Sequence, residues 1–133
     1  MKRSRKPLLV SVNFAVKLLF VVLLFITVLF PDLPQLSGKG MGVRAATYPI
    51  AILIVPLIWR LRGKSKPYPH LVDMLVVMPF FVDVAGNFVN LYNTIRWFDD
   101  IAHFANWTFL AGAFGLALAR TSVGRLSRVT LTI

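Results

Sequence analysis

The chain of 133 residues is strongly apolar and strongly basic. Hydrophobic residues make up 57% of it and charged residues 15%, against about 45–50% and about 25% in soluble domains. Because a small soluble domain leaves much of its surface in water, this composition argues against a soluble fold and indicates a membrane protein. The formal charge of +10 lies in clusters between apolar stretches, which indicates membrane topology and no nucleic-acid partner. The absence of cysteine excludes disulfides, thiolate metal sites and cysteine nucleophiles.

Apolar stretches recur along the chain, each near the length of about 20 residues that crosses a bilayer. They predict four transmembrane helices, at about residues 8–30, 41–59, 70–92 and 99–119. Pro49 and Pro56 predict kinks in the second span. The spans and their short connections use nearly every residue, so residues 1–133 are expected to form a single all-α membrane domain, a polytopic four-helix bundle.

The basic residues of the connections predict the orientation of the spans. Lys and Arg number 4, 2, 4, 1 and 3 along the five segments outside the spans. The positive-inside rule assigns the richer segments to the cytoplasm, so both termini and the connection between spans two and three are expected there. The protein is therefore expected to be a multi-pass protein of an inner or plasma membrane.

Polar side chains form stripes on the third and fourth spans. A spacing of i, i+4, i+7 places Asp83, Asn87 and Asn90 on one helical face, and it does the same for Asp99, His103 and Asn106. Because these spans run antiparallel, the two stripes are expected at similar depth, near the outward-facing connection between the spans. The candidate site comprises Asp83, Asn87, Asn90, Asp99, Asp100, His103 and Asn106.

Three chemistries are open for this site. Asp83, Asp99 and His103 could bind a divalent metal, since carboxylate oxygen and imidazole nitrogen are suitable ligands. Asp99 and His103 could instead act as an acid–base couple or proton relay. The third interpretation is a structural clamp of hydrogen bonds between spans three and four. One of Asp99 and Asp100 is also expected to serve the helix N-terminus, where the dipole favours acids.

Lys17 lies deep within the first span. We favour an interpretation in which its long side chain extends toward the cytoplasmic interface. The alternative is a buried ion pair with Asp73 or Asp83, since the depth of Lys17 falls between theirs. His70 is expected to be a solvated residue at the inner interface.

The polar residues of spans three and four also carry a resemblance to a known family. The series that carries it is Asp83, Gly86-Asn87, Tyr92, Asp99 or Asp100, and His103. It resembles the bacterial inner-membrane family typified by YjdF, over about residues 70–110. The resemblance implies a polar site in a bacterial inner membrane, and no particular reaction, since that family has no assigned activity.

These observations favour a non-enzymatic integral membrane protein. We expect a small transporter-like protein or accessory subunit, partnered by the lipid bilayer and by further copies or a larger membrane complex. The alternatives are a membrane-embedded enzyme that uses the same cluster with a metal or a lipid head group, and a purely structural subunit. Function is expected in the outer half of spans three and four, with spans one and two mainly structural.

Overall fold

A computed structural model of the chain describes residues 5–121, with side chains from Pro7 onward. The prediction of orientation also uses Lys2, Arg3, Arg125 and Arg128, which lie outside these residues. The described residues form helices and no strand: α1 (Arg5–Leu29), α2 (Met41–Thr47), α3 (Ile50–Leu61), α4 (His70–Phe88), α5 (Leu91–Thr94) and α6 (Phe98–Ala119). This confirms the all-α prediction.

Four segments of the described chain are long and apolar enough to cross a membrane. They are Pro7–Leu29, Met41–Leu61, His70–Phe88 and Phe98–Ala119. Each begins within a few residues of the start that hydropathy predicts. The number of spans and their places in the sequence therefore agree with the prediction.

Local sequence explains where several helices begin and end. Pro7 lies in the first turn of α1, where its missing N–H removes no helical bond. At the end of α3, Gly63 adopts a left-handed conformation with φ of 69°. The amides of Gly63 and Lys64 donate to the carbonyls of Arg60 and Trp59, at 3.0 and 3.2 Å. This pattern is a Schellman motif, which ends the helix and satisfies its last carbonyls.

The second span is broken at one of its two prolines. α2 ends at Thr47 and α3 begins at Ile50, on either side of Pro49, which has no N–H to continue the helical ladder. Pro56 lies inside the continuous helix α3, so the kink expected there does not divide the span. Tyr48 and Pro49 keep right-handed helical dihedrals, so α2 and α3 still form one apolar segment, Met41–Leu61.

The third span ends earlier than the sequence predicts. α4 stops at Phe88, and Asn90 adopts a left-handed conformation with φ of 64°. The expected helix as far as residue 92 is therefore wrong. A side chain beyond this turn no longer follows the helical spacing of Asp83 and Asn87.

α4 is the central helix of the bundle. It packs against α1, α3 and α6, whereas α6 contacts mainly α4. We call the end that holds the start of α1, residues 62–69 and the end of α6 the basal end. The distal end holds residues 30–40 and 89–97. The main core contains Phe20, Leu23, Leu24, Leu36, Met41, Val77 and Val84.

Large apolar side chains cover the outside of the bundle. Phe104, Trp107 and Phe114 on α6 are 76, 71 and 67% exposed, and Phe14 and Phe25 on α1 are similarly open. A water-soluble surface rarely carries so much contiguous apolar area, but hydrocarbon solvates it without cost. The surface thus agrees with the spans in indicating a membrane environment.

Candidate functional site

Asp83 is the centre of a polar cluster near the distal end. Its Oδ2 accepts hydrogen bonds from Arg44 Nε at 2.7 Å and from the Tyr48 hydroxyl at 2.8 Å. Asn87, one turn further along α4, donates to the Asp83 carbonyl at 2.8 Å. We call Arg44, Tyr48, Asp83 and Asn87 the distal cluster. It places an ion pair with partly buried side chains between α2 and α4.

The distal cluster corrects two expectations. A clamp through Asp83 joins span three to span two, and not to span four. Arg44 and Tyr48 of span two, which was expected to be mainly structural, contact the candidate residue Asp83. Sequence reasoning missed Arg44 because it was counted among the charges of the outer connection. Its one available signal was its position four residues before Tyr48, on the same face of α2.

A cavity of about 680 Å³ lies beside the distal cluster. We call it the distal cavity. It is open to the surface, and residues of α2, α4, α6 and both distal connections line it. The candidate residues in its wall are Asp83, Asn87, Asp99, His103 and Asn106. The further polar residues in its wall are Lys39, Arg44, Tyr48, Tyr92 and Asn93.

Two candidate residues lie elsewhere. Asn90 is not part of the cavity wall, because its left-handed backbone turns the chain away from the α4 face. Its side-chain oxygen accepts a hydrogen bond from Asn93 Nδ2 at 2.6 Å. Asp100 is an exposed residue in the first turn of α6 and is also outside the wall. Its position suits the helix dipole, as expected for one of the two neighbouring acids.

Asp99 and His103 form a loose pair on α6. His103 Nε2 lies 3.5 Å from Asp99 Oδ1, and both side chains are mostly exposed. Within residues 5–121, no three His, Asp or Glu side chains lie close enough together to hold a metal ion. The donor set Asp83, Asp99 and His103 therefore does not fit a metal in this arrangement. Asp99 and His103 are close enough for an ion pair, but their separation is longer than the about 2.6–3.2 Å of a catalytic hydrogen bond.

Gly86 allows two aromatic rings, Tyr92 and Phe98, to pack closely against α4, and Tyr92 also lines the distal cavity. A Cβ at this position would lie 2.7 Å from Phe98 Cε1 and 2.8 Å from Tyr92 Cε2. The two rings meet edge to face, with centroids 4.9 Å apart. Burial raises the pKa of Tyr92 to about 12, and the nearby Asp83 and Asp99 carboxylates act in the same direction. Tyr92 therefore presents a neutral hydroxyl at physiological pH.

Two buried polar atoms near the distal cavity have no hydrogen-bond partner in the described chain. They are Lys39 Nζ and Asn106 Oδ1. The Lys39 ammonium lies 5.9 Å from the centre of the Tyr92 ring, a weak cation–π contact. Buried polar groups are almost always paired with protein or water, so these are the two atoms that water or a bound solute in the cavity would contact.

Asp73 anchors a second cluster, at the basal end. The Asp73 side chain is fully buried, and its Oδ2 accepts from Lys17 Nζ at 2.5 Å, Tyr68 hydroxyl at 2.7 Å and Asn13 Nδ2 at 2.9 Å. We call these residues, with His70, the basal cluster. It joins α1 to α4 through a charge pair with three donors on one oxygen.

The basal cluster corrects the favoured interpretation of Lys17, which pairs with Asp73 instead of extending to the interface. His70 is also not a loop residue in solvent. It begins α4, is half-buried, and its Nδ1 lies 3.4 Å from Asn13 Nδ2. Burial, followed by the hydrogen bond to Asp73, raises the pKa of the Tyr68 hydroxyl, which keeps it a donor.

Comparisons of the chain with models of protein families, with curated proteins and with solved structures gave no match. The resemblance to the YjdF family therefore stays a prediction.

Proposed function

We propose that this chain is a multi-pass protein of a bacterial inner membrane that binds a small polar solute in the distal cavity. It would act as a small transporter-like protein or as an accessory subunit of a larger complex. Both termini would lie in the cytoplasm, as the basic connections favour, and the distal cavity would open outward. The YjdF-like series also supports the distal cavity as the binding site, because three of its residues, Asp83, Asn87 and His103, line this cavity.

The observation that carries the proposal is the Lys39 ammonium, buried without a partner beside a cavity of about 680 Å³. A buried unpaired charge is costly, so a bound anionic group would stabilise it. Lys39 is part of the cavity wall, so a solute bound there would lie beside its long, flexible side chain. Asn106 Oδ1 offers an acceptor for a donor group on the same solute.

Charge in the rest of the cavity favours the same class of ligand. Arg44 and Asp83 neutralise each other at 2.7 Å, so they add polarity without a net charge. Asp99 lies at a more exposed position, 64% open to the surroundings, where solvent screens it. Lys39 is thus the least compensated charge near the cavity, and the solute is expected to carry a carboxylate or phosphate.

Substitution Lys39→Met tests this function. Removing an unpaired buried charge is expected to raise the thermal stability of the detergent-purified protein, by about 1 kcal/mol or more. The same variant is expected to lose the stabilisation that added inorganic phosphate gives the original protein. Lys64→Met, at an exposed position at the basal end, is the matched control and should retain that stabilisation.

A structural role for Lys39 predicts the opposite result. Lys39→Met would then unfold at lower temperature, and phosphate would stabilise the variant and the original protein equally. Either finding contradicts a ligand-binding role for this side chain.

The Asp99–His103 pair favours one alternative, an enzyme that performs acid–base chemistry on a lipid head group in the distal cavity. Both residues line this cavity, and His103 Nε2 lies 3.5 Å from Asp99 Oδ1. If the protein is such an enzyme, His103→Gln would abolish turnover of the lipid and leave its binding intact. If the protein only binds a solute, the original protein would show no turnover at all. Transport, in contrast, would require several copies, since four helices enclose little lumen.

A further inference from the structure

A second cavity, of about 290 Å³, lies at the basal end between α3 and α6. These two helices both pack on α4 and hardly contact each other. Val55 and Ile58 of α3 form one wall, Ala117 of α6 forms the other, and Val72 of α4 lies at the floor. We call this cavity the basal groove. Its interior is apolar and its size is at the low end of ligand pockets, about 300–1,000 Å³.

The mouth of the basal groove is cationic. Arg62, Lys66 and Arg120 all line it. Arg120 Nη2 donates to the Pro67 carbonyl at 2.7 Å, and the Lys66 ammonium donates to the Arg120 carbonyl. Trp59 Nε1 donates to the Lys66 carbonyl at 2.8 Å. These bonds join the connection 62–69 to the ends of α3 and α6, so the cations are held around the opening.

Among residues 5–121, no carboxylate compensates this charge. The whole chain has five acidic residues, and none of them lines the basal groove. Asp73 is the acidic residue nearest to it in sequence, but its side chain is fully buried and pairs with Lys17. The groove therefore combines an apolar interior with an uncompensated positive mouth.

We propose that the basal groove binds an anionic phospholipid. An acyl chain would lie against Val55, Val72 and Ala117, and the phosphate would lie among Arg62, Lys66 and Arg120. Basic pockets between membrane helices select anionic head groups in this way, and arginine binds phosphate well because of its forked donors. Trp59 lies at the same level, where indole rings favour the head-group region. This site is separate from the distal cavity, so neither proposal depends on the other.

The charge at the mouth is tested by the double substitution Arg62→Gln and Lys66→Gln. The full chain is purified in mild detergent, and bound phosphatidylglycerol and phosphatidylcholine are quantified by native mass spectrometry. The original protein is expected to prefer phosphatidylglycerol, and the double variant to bind it about 30-fold more weakly, since each interfacial cation contributes about 1 kcal/mol. The matched control is Lys64→Gln with Arg96→Gln, which removes the same charge from positions outside the groove.

The apolar interior is tested by Ala117→Phe, which fills the groove and leaves every charge in place. It is expected to reduce bound phosphatidylglycerol, whereas Leu116→Phe, on the exposed side of the same helix, is expected to leave it unchanged. Ala117→Phe changes only the interior of the groove, and the double substitution changes only its mouth. If one of these variants fails to fold, the other still tests the proposal.

Three results would overturn the proposal. The first is equal binding of the two lipids by the original protein, and the second is an equal loss in the control and groove variants. The third is much tighter phosphatidylglycerol binding by a chain ending at Thr121, since that result would assign the groove to residues 122–133.

Discussion

Lys17 and Arg44 are both charged residues within apolar spans, and each has an aspartate of α4 as its partner. The sequence places Lys17 at a depth between Asp73 and Asp83, so depth alone leaves both as partners. The choice depends on Arg44, which lies on α2 and pairs with Asp83. Because Asp83 pairs with Arg44, Asp73 is the partner that remains for Lys17. The Arg44–Asp83 pair cannot be predicted from the sequence, because it depends on the path of the chain through residues 30–40.

Substitution Lys17→Met tests the basal ion pair. It leaves the fully buried Asp73 carboxylate without its cation, and breaking a buried pair costs about 3–5 kcal/mol. We therefore expect Lys17→Met to unfold at markedly lower denaturant or temperature in detergent. The double variant Lys17→Met with Asp73→Asn is expected to recover part of the loss, because it removes both charges.

Asp32→Asn, at an exposed position in the distal connection, is the control for loss of one charge. Equal stability of Lys17→Met and the original protein would show that Lys17 reaches solvent, and would contradict the pair.

At the scale of the helix, hydropathy predicts where spans begin better than where they end. The predicted starts differ from the observed ones by a residue or so, since apolar runs begin sharply after basic or proline-rich segments. The end of span three is wrong because Val89, Leu91 and Tyr92 continue the apolar pattern beyond α4. The left-handed Asn90 ends the helix there, and only its asparagine side chain, which tolerates that conformation, signals it.

The end of α4 depends on the absence of a side chain at Gly86. Gly86→Ala would place a Cβ 2.7 Å from Phe98 and 2.8 Å from Tyr92, so the aromatic pair must shift. We expect a loss of about 1–3 kcal/mol in unfolding free energy, typical of overpacking. Gly115→Ala on α6 meets no atom within 4 Å and is the matched control, expected to be neutral or slightly stabilising.

Thermal unfolding in detergent compares the two variants. If the clash is the cause, Gly86→Ala should have little further effect in a chain that already carries Tyr92→Ala and Phe98→Ala, because both rings are then absent. An unchanged melting temperature for Gly86→Ala alone would instead place the aromatic pair away from Gly86.

For the whole molecule, the sequence predicts the number and order of spans but not which span is central. The second and third spans have the same mean hydropathy, yet the third is the most buried of the four and the second is largely exposed. The two helices that carry the polar stripes pack against each other, and five of the seven candidate residues line one cavity. Arg44, Tyr48 and Lys39 were not assigned to it, because helical spacing describes one helix and not the approach of its neighbours.

We propose that the four spans place the distal cavity on the outer side of the membrane and the basal end in the cytoplasm. Because the chain has no cysteine, single substitutions report each side directly. A membrane-impermeant maleimide applied to intact cells is expected to label Thr94→Cys, and to label Lys64→Cys only after the cells are permeabilised. Labelling of Lys64→Cys in intact cells, with protection of Thr94→Cys, would contradict the proposed orientation and the outward-facing site.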